Sequence, residues 1–274
     1  MEDIRQAPIG VFDSGVGGLT VAREIMRQIP NEKIVYFGDT ARVPYGSKSK
    51  DTIIRFSRQI VHFLKTKGVK AVVVACNTAS ALALETLQPE MDIPVIGVVL
   101  PGAKVAAETT KNGKIGVIAT ESTIESHLYN RVIQAHNPQA EVFGKACPLF
   151  CPLVEEGWLK DPVTVEVANR YLEPLLATGI DTLVMGCTHY PLLRSTLREI
   201  MGDKVNLVNP AYETALELKA LLEEKGLAND SQDIPAKGKY QFYVSDAANK
   251  FRRFANTILP IGVEDTWLIH IEDY

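Results

Sequence analysis

The chain of 274 residues carries 29 basic and 33 acidic side chains, a formal net charge of −4, and four cysteines. This near balance provides no basic field of the kind a nucleic-acid binder needs, and no apolar run approaches the ~20 residues required to span a bilayer. Two domains of roughly 100–150 residues would fit the length, and the opening Met1-Glu-Asp-Ile-Arg-Gln has neither the basic start nor the apolar centre of a signal peptide. A cytoplasmic location is therefore expected. Without a CxxC pair or a compact framework, the cysteines read as free thiols.

The chain opens with a strand, Ile9-Gly-Val-Phe12, the glycine-rich Asp13-Ser-Gly-Val-Gly-Gly18 and an amphipathic helix from Leu19 to about Gln28. A strand at Lys33–Phe37, a loop with Pro44-Tyr45-Gly46, a helix near Asp51–Lys67, the strand Ala71–Ala75, a helix from about Thr78 and the strand Val95–Val99 follow. A second series holds a strand from Lys114 to Thr120, a helix around Ile124–Ala135, a short strand Ala140–Phe143, the helix Val163–Ala177 and the strand Thr182–Met185. After Asn209-Pro210 come a helix Glu213–Lys225, a polar loop near Asn229–Gly238, the strand Tyr240–Val244 and a terminal helix. Strands alternating with helices predict an α/β fold of mostly parallel sheet flanked by helices.

Two pairs of segments repeat. Ile9-Gly-Val-Phe12 resembles Ile115-Gly-Val-Ile118, and Ala71-Val-Val-Val-Ala-Cys76-Asn-Thr78 resembles Thr182-Leu-Val-Met-Gly-Cys187-Thr-His189, at offsets of 106 and 111 residues. Nearly equal offsets argue for an internal duplication. The expectation is two similar lobes related by pseudo-symmetry, with Cys76 and Cys187 on opposite walls of the cleft between them. The first lobe is assigned residues 1–98, completed by 210–274, and the second residues 99–209.

The loop Asp13–Gly18 lacks the dinucleotide spacing, because position 20 is threonine, and has no phosphate-loop Gly-Lys-Ser/Thr. A small carboxylate or ammonium ligand suits it better, with Asp13 and Ser14 as polar contacts. Buried free cysteine is most often a small apolar residue. Cys76 and Cys187, however, each sit between a strand and an expected helix start, followed by hydroxyl, amide or imidazole side chains. A helix N-terminus lowers a thiol's pKa. A zinc site of Cys76, Cys187 and His189 lacks a fourth ligand and the usual local spacing, so no metal is expected. His189 is either a satisfied core histidine or a proton partner for Cys187; the same question attaches to Asp13 beside Cys76 and to Glu155. Cys147 and Cys151, among apolar residues, read as packing.

Two matched thiols across a cleft suit inversion of a carbon stereocentre, which needs a base on one face and an acid on the other. No lysine lies in either motif for a Schiff base, so cofactor-independent racemisation or epimerisation is expected, helped by positioning and by donors to the substrate carboxylate.

The segments Gly10-Val-Phe-Asp-Ser-Gly-Val-Gly-Gly-Leu-Thr20, Gly38-Asp-Thr-Ala-Arg-Val-Pro-Tyr-Gly46, Ala75-Cys-Asn-Thr-Ala79, Pro152-Leu-Val-Glu-Glu-Gly157 and Gly186-Cys-Thr-His-Tyr-Pro191 resemble the glutamate racemases of the aspartate/glutamate racemase superfamily, over nearly the whole chain. The resemblance implies a pyridoxal-free, two-base enzyme, a homodimer, interconverting L- and D-glutamate for peptidoglycan synthesis. It implies that Cys76 handles the proton on one substrate face and Cys187 that on the other, that Asp13 assists Cys76, and that His189 with Glu155 behind it assists Cys187. Ser14, Tyr45, Gly46, Asn77, Thr78 and Thr188 look like substrate contacts alongside Asp13 and His189, with Thr120 a further one. The competing readings are a racemase for aspartate or a hydantoin, a two-lobed amino-acid binding protein without chemistry, and a zinc hydrolase.

Overall fold

The computed structural model describes residues 3–231 and 238–274. In chain order the elements are β1 (Ile9–Asp13), α1 (Leu19–Gln28), β2 (Ile34–Gly38), α2 (Lys50–Thr66), β3 (Ala71–Val74), α3 (Asn77–Leu87), β4 (Val95–Gly97) and α4 (Val99–Thr109). Then come β5 (Lys114–Ala119), α5 (Glu121–Glu125), α6 (Leu128–His136), β6 (Glu141–Ala146), α7 (Phe150–Glu155), α8 (Pro162–Ala177), β7 (Thr182–Gly186), α9 (Arg194–Met201) and β8 (Asn206–Val208). The chain closes with α10 (Pro210–Glu224), β9 (Tyr240–Val244), α11 (Ala248–Ile258) and β10 (Trp267–Leu268).

β1, β2, β3 and β7 are buried at every position, which is why they read as continuous apolar runs rather than alternating ones: helices cover both faces of the sheet. The helices contribute one apolar side each. In α2, capped by the Ser49 hydroxyl on the Thr52 N–H, that side includes Ile53, Ile60, Val61, Phe63 and Leu64.

The strands form two sheets, ordered β10-β9-β2-β1-β3-β4 and β6-β5-β7-β8, and every pairing is parallel. The run β2-β1-β3-β4 and the run β6-β5-β7-β8 have the same topology, so the repeat read from sequence is a repeat of structure. In each, the first strand of the series lies between the second and third, and the connection leaving the first strand runs opposite to the one leaving the third. A sheet splits open at its carboxyl end at such a point and receives ligands there. In the first sheet these ends carry Asp13 and Cys76; in the second, Thr120 and Cys187.

The segment after α10 joins the first sheet through β9 and β10. It is also tied there by a buried ion pair. Lys70 Nζ lies 2.5 Å from Glu32 Oε2 and donates to the carbonyls of Arg5 at 2.6 Å and Leu227 at 2.8 Å, while Asn229 N–H donates to Glu32 Oε1 at 2.9 Å.

Several elements depart from the sequence reading. The apolar run after Pro94 is strand only to Gly97, after which Val98 turns helical (φ −77°, ψ −16°) and caps α4; a buried helix and a buried strand give the same hydrophobic signal over so short a window. The helix expected at Ile124–Ala135 is two helices, broken at His127, whose φ is 52°. α10 begins at Pro210 itself, with the Asn209 side chain accepting from Ala211 N–H, as suits proline in a first turn. α4, α7, α9, β8 and β10 were not anticipated. Residues 232–237 of the expected polar loop lie outside the described residues. No described helix is long and apolar enough to cross a membrane.

Candidate active site

Asp13 ends β1 with no exposed surface. Its Oδ2 accepts the Gly15 N–H at 2.9 Å, and its Oδ1 accepts the Thr188 hydroxyl from the second sheet at 3.2 Å. Burial raises its pKa above the ordinary carboxylate value, against the pull of His189 and the Gly15 and Gly18 N–H groups, so it holds a proton more readily than a free carboxylate. The glycines of this loop permit close approach. A Cβ on Gly17 would fall 2.4 Å from Thr188 Oγ1, and one on Gly18 would fall 2.4 Å from Asp13 Cβ.

Cys76 is the N-cap of α3. Burial pushes its thiol up to about 12; the Asp13 charge adds to this, and hydrogen bonds from the Ala79 N–H and the Ser14 hydroxyl oppose it. The sequence expectation of a lowered pKa is therefore reversed. The helix terminus acts as foreseen, but at 5% exposure desolvation of a thiolate outweighs it.

Cys187 follows β7, and here the expectation of a helix start fails: a 3₁₀ turn, Tyr190–Leu193, precedes α9. The Cys187 Sγ lies 3.9 Å from His189 Nδ1. His189 Nε2 lies 3.2 Å from Glu155 Oε1 on α7, and Glu155 Oε2 lies 3.4 Å from Lys250 Nζ on α11. Cys151, also on α7, puts its Sγ 3.6 Å from Cys187 Sγ. The contact with Cys151, together with burial, raises the Cys187 pKa. Burial opposes charge on His189, yet its bonds to Cys187 and Glu155 win and raise its pKa to about 10. Glu155 is lowered, first by His189. We assign one proton shared between the Cys187 sulphur and His189 Nδ1, with Glu155 stabilising the ring when the proton makes it an imidazolium.

That assignment has a pH signature. His189 rises from an ordinary 6.5 to about 10 in the folded chain, so its pairing contributes stability below pH 6.5 that is lost as pH climbs through 10. The margin by which the native chain resists urea better than His189→Gln is expected to shrink across that range. A margin that does not shrink across that range would mean a neutral imidazole.

The remaining residues of the sequence reading line the same junction. Thr78 Oγ1 lies 2.9 Å from Thr120 Oγ1, and both reach Thr123. The Gly46 carbonyl accepts from Ser122 N–H at 3.1 Å, and a Cβ on Gly46 would fall 2.7 Å from Thr120 Cβ. Tyr129 OH donates to Asn77 Oδ1 at 2.7 Å, and Thr20 Oγ1 donates to the Thr188 carbonyl at 2.9 Å. Tyr45 is buried with its hydroxyl donating to Asp39. Asp39 also takes Arg42 Nε at 2.7 Å and Ser245 Oγ at 2.8 Å, and so positions the 44–46 loop. A cavity of about 480 Å³ is lined by Val16, Glu155 and Lys250.

Asp39, Thr123, Tyr129, Cys151 and Lys250 escaped the sequence reading. Asp39 had a signal, an acid at a strand end with Arg42 three residues on. Cys151 had none, since only the fold carries α7 to Cys187. The sulphurs of Cys151 and Cys187 and a ring nitrogen of His189 all lie within 4.8 Å of one another.

These features define a two-lobed, all-parallel α/β protein with a thiol at the same strand end of each lobe and a titratable partner beside each thiol. Residues 9–217 match the family described as Asp/Glu/Hydantoin racemase, and the chain belongs to that family. It is 50% identical over 273 residues to the glutamate racemase of Neisseria meningitidis serogroup A, covering 99% of this chain and 100% of that protein. It is similar to the crystal structure of glutamate racemase isoform RacE1 from Bacillus anthracis (TM-score 0.92, 40% identity, 97% of this chain and 98% of that one). A glutamate racemase from Francisella tularensis solved in complex with D-glutamate matches with a TM-score of 0.91 at 38% identity, over 98% and 100% of the chains.

Proposed function

We propose that this chain is a glutamate racemase that moves protons with two thiols and no pyridoxal. The observation that carries the reading is the equivalence of Cys76 and Cys187, each at the carboxyl end of the third strand of its lobe, with Asp13 beside the first and His189 beside the second. Inversion at the α-carbon removes a proton from one face and supplies one to the other. One thiol must therefore start as thiolate and its counterpart as thiol. Asp13 is placed to hold the Cys76 proton, and the His189–Glu155 pair to hold that of Cys187. The two thiols sense each other's charge, which raises the Cys76 pKa and favours one thiolate at a time.

The α-proton of an amino acid is weakly acidic, and donors aimed at the substrate carboxylates stabilise the developing charge. Ser14, Asn77, Thr78, Thr120 and Thr188, with the backbone around Tyr45 and Gly46, are assigned that role. A thiolate desolvated in a closed site is a stronger base than one in water, so the raised pKa values support the reading. The fully buried lysine, Lys70, sits at the amino end of β3, opposite the end that carries Cys76, and is committed to Glu32. It is therefore not available for a Schiff base. The domain division proposed, 1–98 with 210–274 against 99–209, is supported by the place of β9 and β10 in the first sheet. A homodimer, a cytoplasmic location and a role in peptidoglycan supply are carried by family resemblance.

Proton NMR of L-glutamate with the chelator-treated protein in deuterium oxide tests the reading. Loss of the α-proton signal together with appearance of D-glutamate is expected; an α-proton that persists with folded protein overturns it.

A further inference from the structure

We propose that Cys151, Cys187 and His189 form a binding site for one thiophilic divalent cation, zinc or cadmium, and that its occupancy silences the Cys187 thiol. Zinc held at ~2.3 Å by sulphur and ~2.0–2.1 Å by imidazole nitrogen in a tetrahedron places two sulphurs ~3.8 Å apart and a sulphur and a nitrogen ~3.6 Å apart. The corresponding separations here are 3.6 Å for Cys151 Sγ to Cys187 Sγ and 3.9 Å for Cys187 Sγ to His189 Nδ1. All three ligand atoms lie within 4.8 Å of one another, so the third pair reaches its tetrahedral separation with a movement of at most about 1.2 Å.

The environment of His189 is a second, independent indication. Its Nε2 faces Glu155 Oε1 at 3.2 Å, the carboxylate–histidine arrangement that fixes the tautomer of a metal-bound imidazole and leaves the other nitrogen to the ion. With the proton on Nε2, the Nδ1 lone pair faces the two sulphurs. Cys151 is part-exposed on α7, where Cys187 is buried, which provides a route of entry. Soft thiolates with imidazole select zinc and its heavier relative over magnesium or calcium.

Binding is a proton exchange without redox change. The cation displaces one proton from each thiol to solvent, and a further one from His189 where it was charged; two thiolates then neutralise the 2+ charge. The sulphur lone pair that would accept a substrate proton is then bound to the metal. The binding half of the proposal stands on geometry alone, and the silencing half rests on the racemase reading.

The test is cadmium titrated into the reduced, chelator-stripped full chain, followed by the thiolate-to-cadmium charge-transfer band in the ultraviolet, with zinc inhibition of turnover measured alongside. One cadmium per chain is expected, with the band kept in Cys76→Ala and lost in Cys187→Ala. Cys151→Ala is expected to bind cadmium about tenfold or more weakly and, measured against its own metal-free turnover, to resist zinc by a similar factor. A band unchanged in Cys151→Ala, or absent from the native chain, overturns the site; equal zinc inhibition of native and Cys151→Ala protein overturns the silencing. Cadmium binding as described in a protein that does not racemise glutamate would uphold the site and remove the racemase reading.

Discussion

Alanine at Cys76 or at Cys187 is expected to lower racemisation by on the order of 10²–10⁴-fold, since a positioned acid or base contributes about that much and neither thiol can take the other's face. The two enantiomers have equal free energy, so kcat/KM must stay equal in the two directions for any variant. The asymmetry between the thiols therefore has to be sought in isotope exchange at the α-carbon. Each single variant keeps one base on one face. It is expected to wash solvent deuterium slowly into one enantiomer without inverting it, and the two variants are expected to choose opposite enantiomers. Near-native racemisation by either variant would remove the two-thiol mechanism. Both cysteines are small and buried at 5% and 6% exposure, and circular dichroism of the variants would verify that the folds are kept.

The second large effect is on stability and lies at the other end of the sheet. Lys70 has no exposed side-chain surface and Glu32 has 4%. Replacing Lys70 with alanine strands the Glu32 carboxylate in the interior and leaves the carbonyls of Arg5 and Leu227 without their donor. Breaking a buried pair from one side costs about 3–5 kcal/mol. The Lys70→Ala midpoint in urea should fall accordingly, while Lys70→Met combined with Glu32→Gln should regain most of the loss, because no charge is then buried and Asn229 N–H keeps its acceptor. Equal losses in the single and double variants would mean that packing, and not the stranded charge, sets the cost. The pair fastens the chain beyond α10 to the first sheet, so its loss is expected to loosen that segment first, visible as amide exchange in β9.

The amino-acid sequence by itself determined the strands that matter most. β1, β3 and β7 are buried at every position and β5 at all but its first, so their apolar runs are continuous, and the repeat at 106 and 111 residues carried the duplicated topology with it. The polar residues at or just beyond those strand ends, Asp13, Asn77, Thr78, Thr188 and His189, were legible for the same reason: a strand end fixes where the next residues point. Helices in apolar surroundings were not legible, because α4 and β4 share one hydrophobic run and α7 is a six-residue helix with proline in its first turn.

Only the tertiary structure decided the environment of the thiols. Local sequence placed Cys76 at a helix N-terminus and implied an easily ionised sulphur, but burial in the core of its own lobe raises its pKa instead. Local sequence left Cys151 to packing, yet the fold carries it across 36 residues to within 3.6 Å of Cys187. Glu155 likewise reaches His189 from 34 residues away. Strand and helix signals arise from neighbours along the chain and can be read there. Desolvation and side-chain pairing arise from neighbours in space, and these exist only once the helices have packed on the sheet of each lobe.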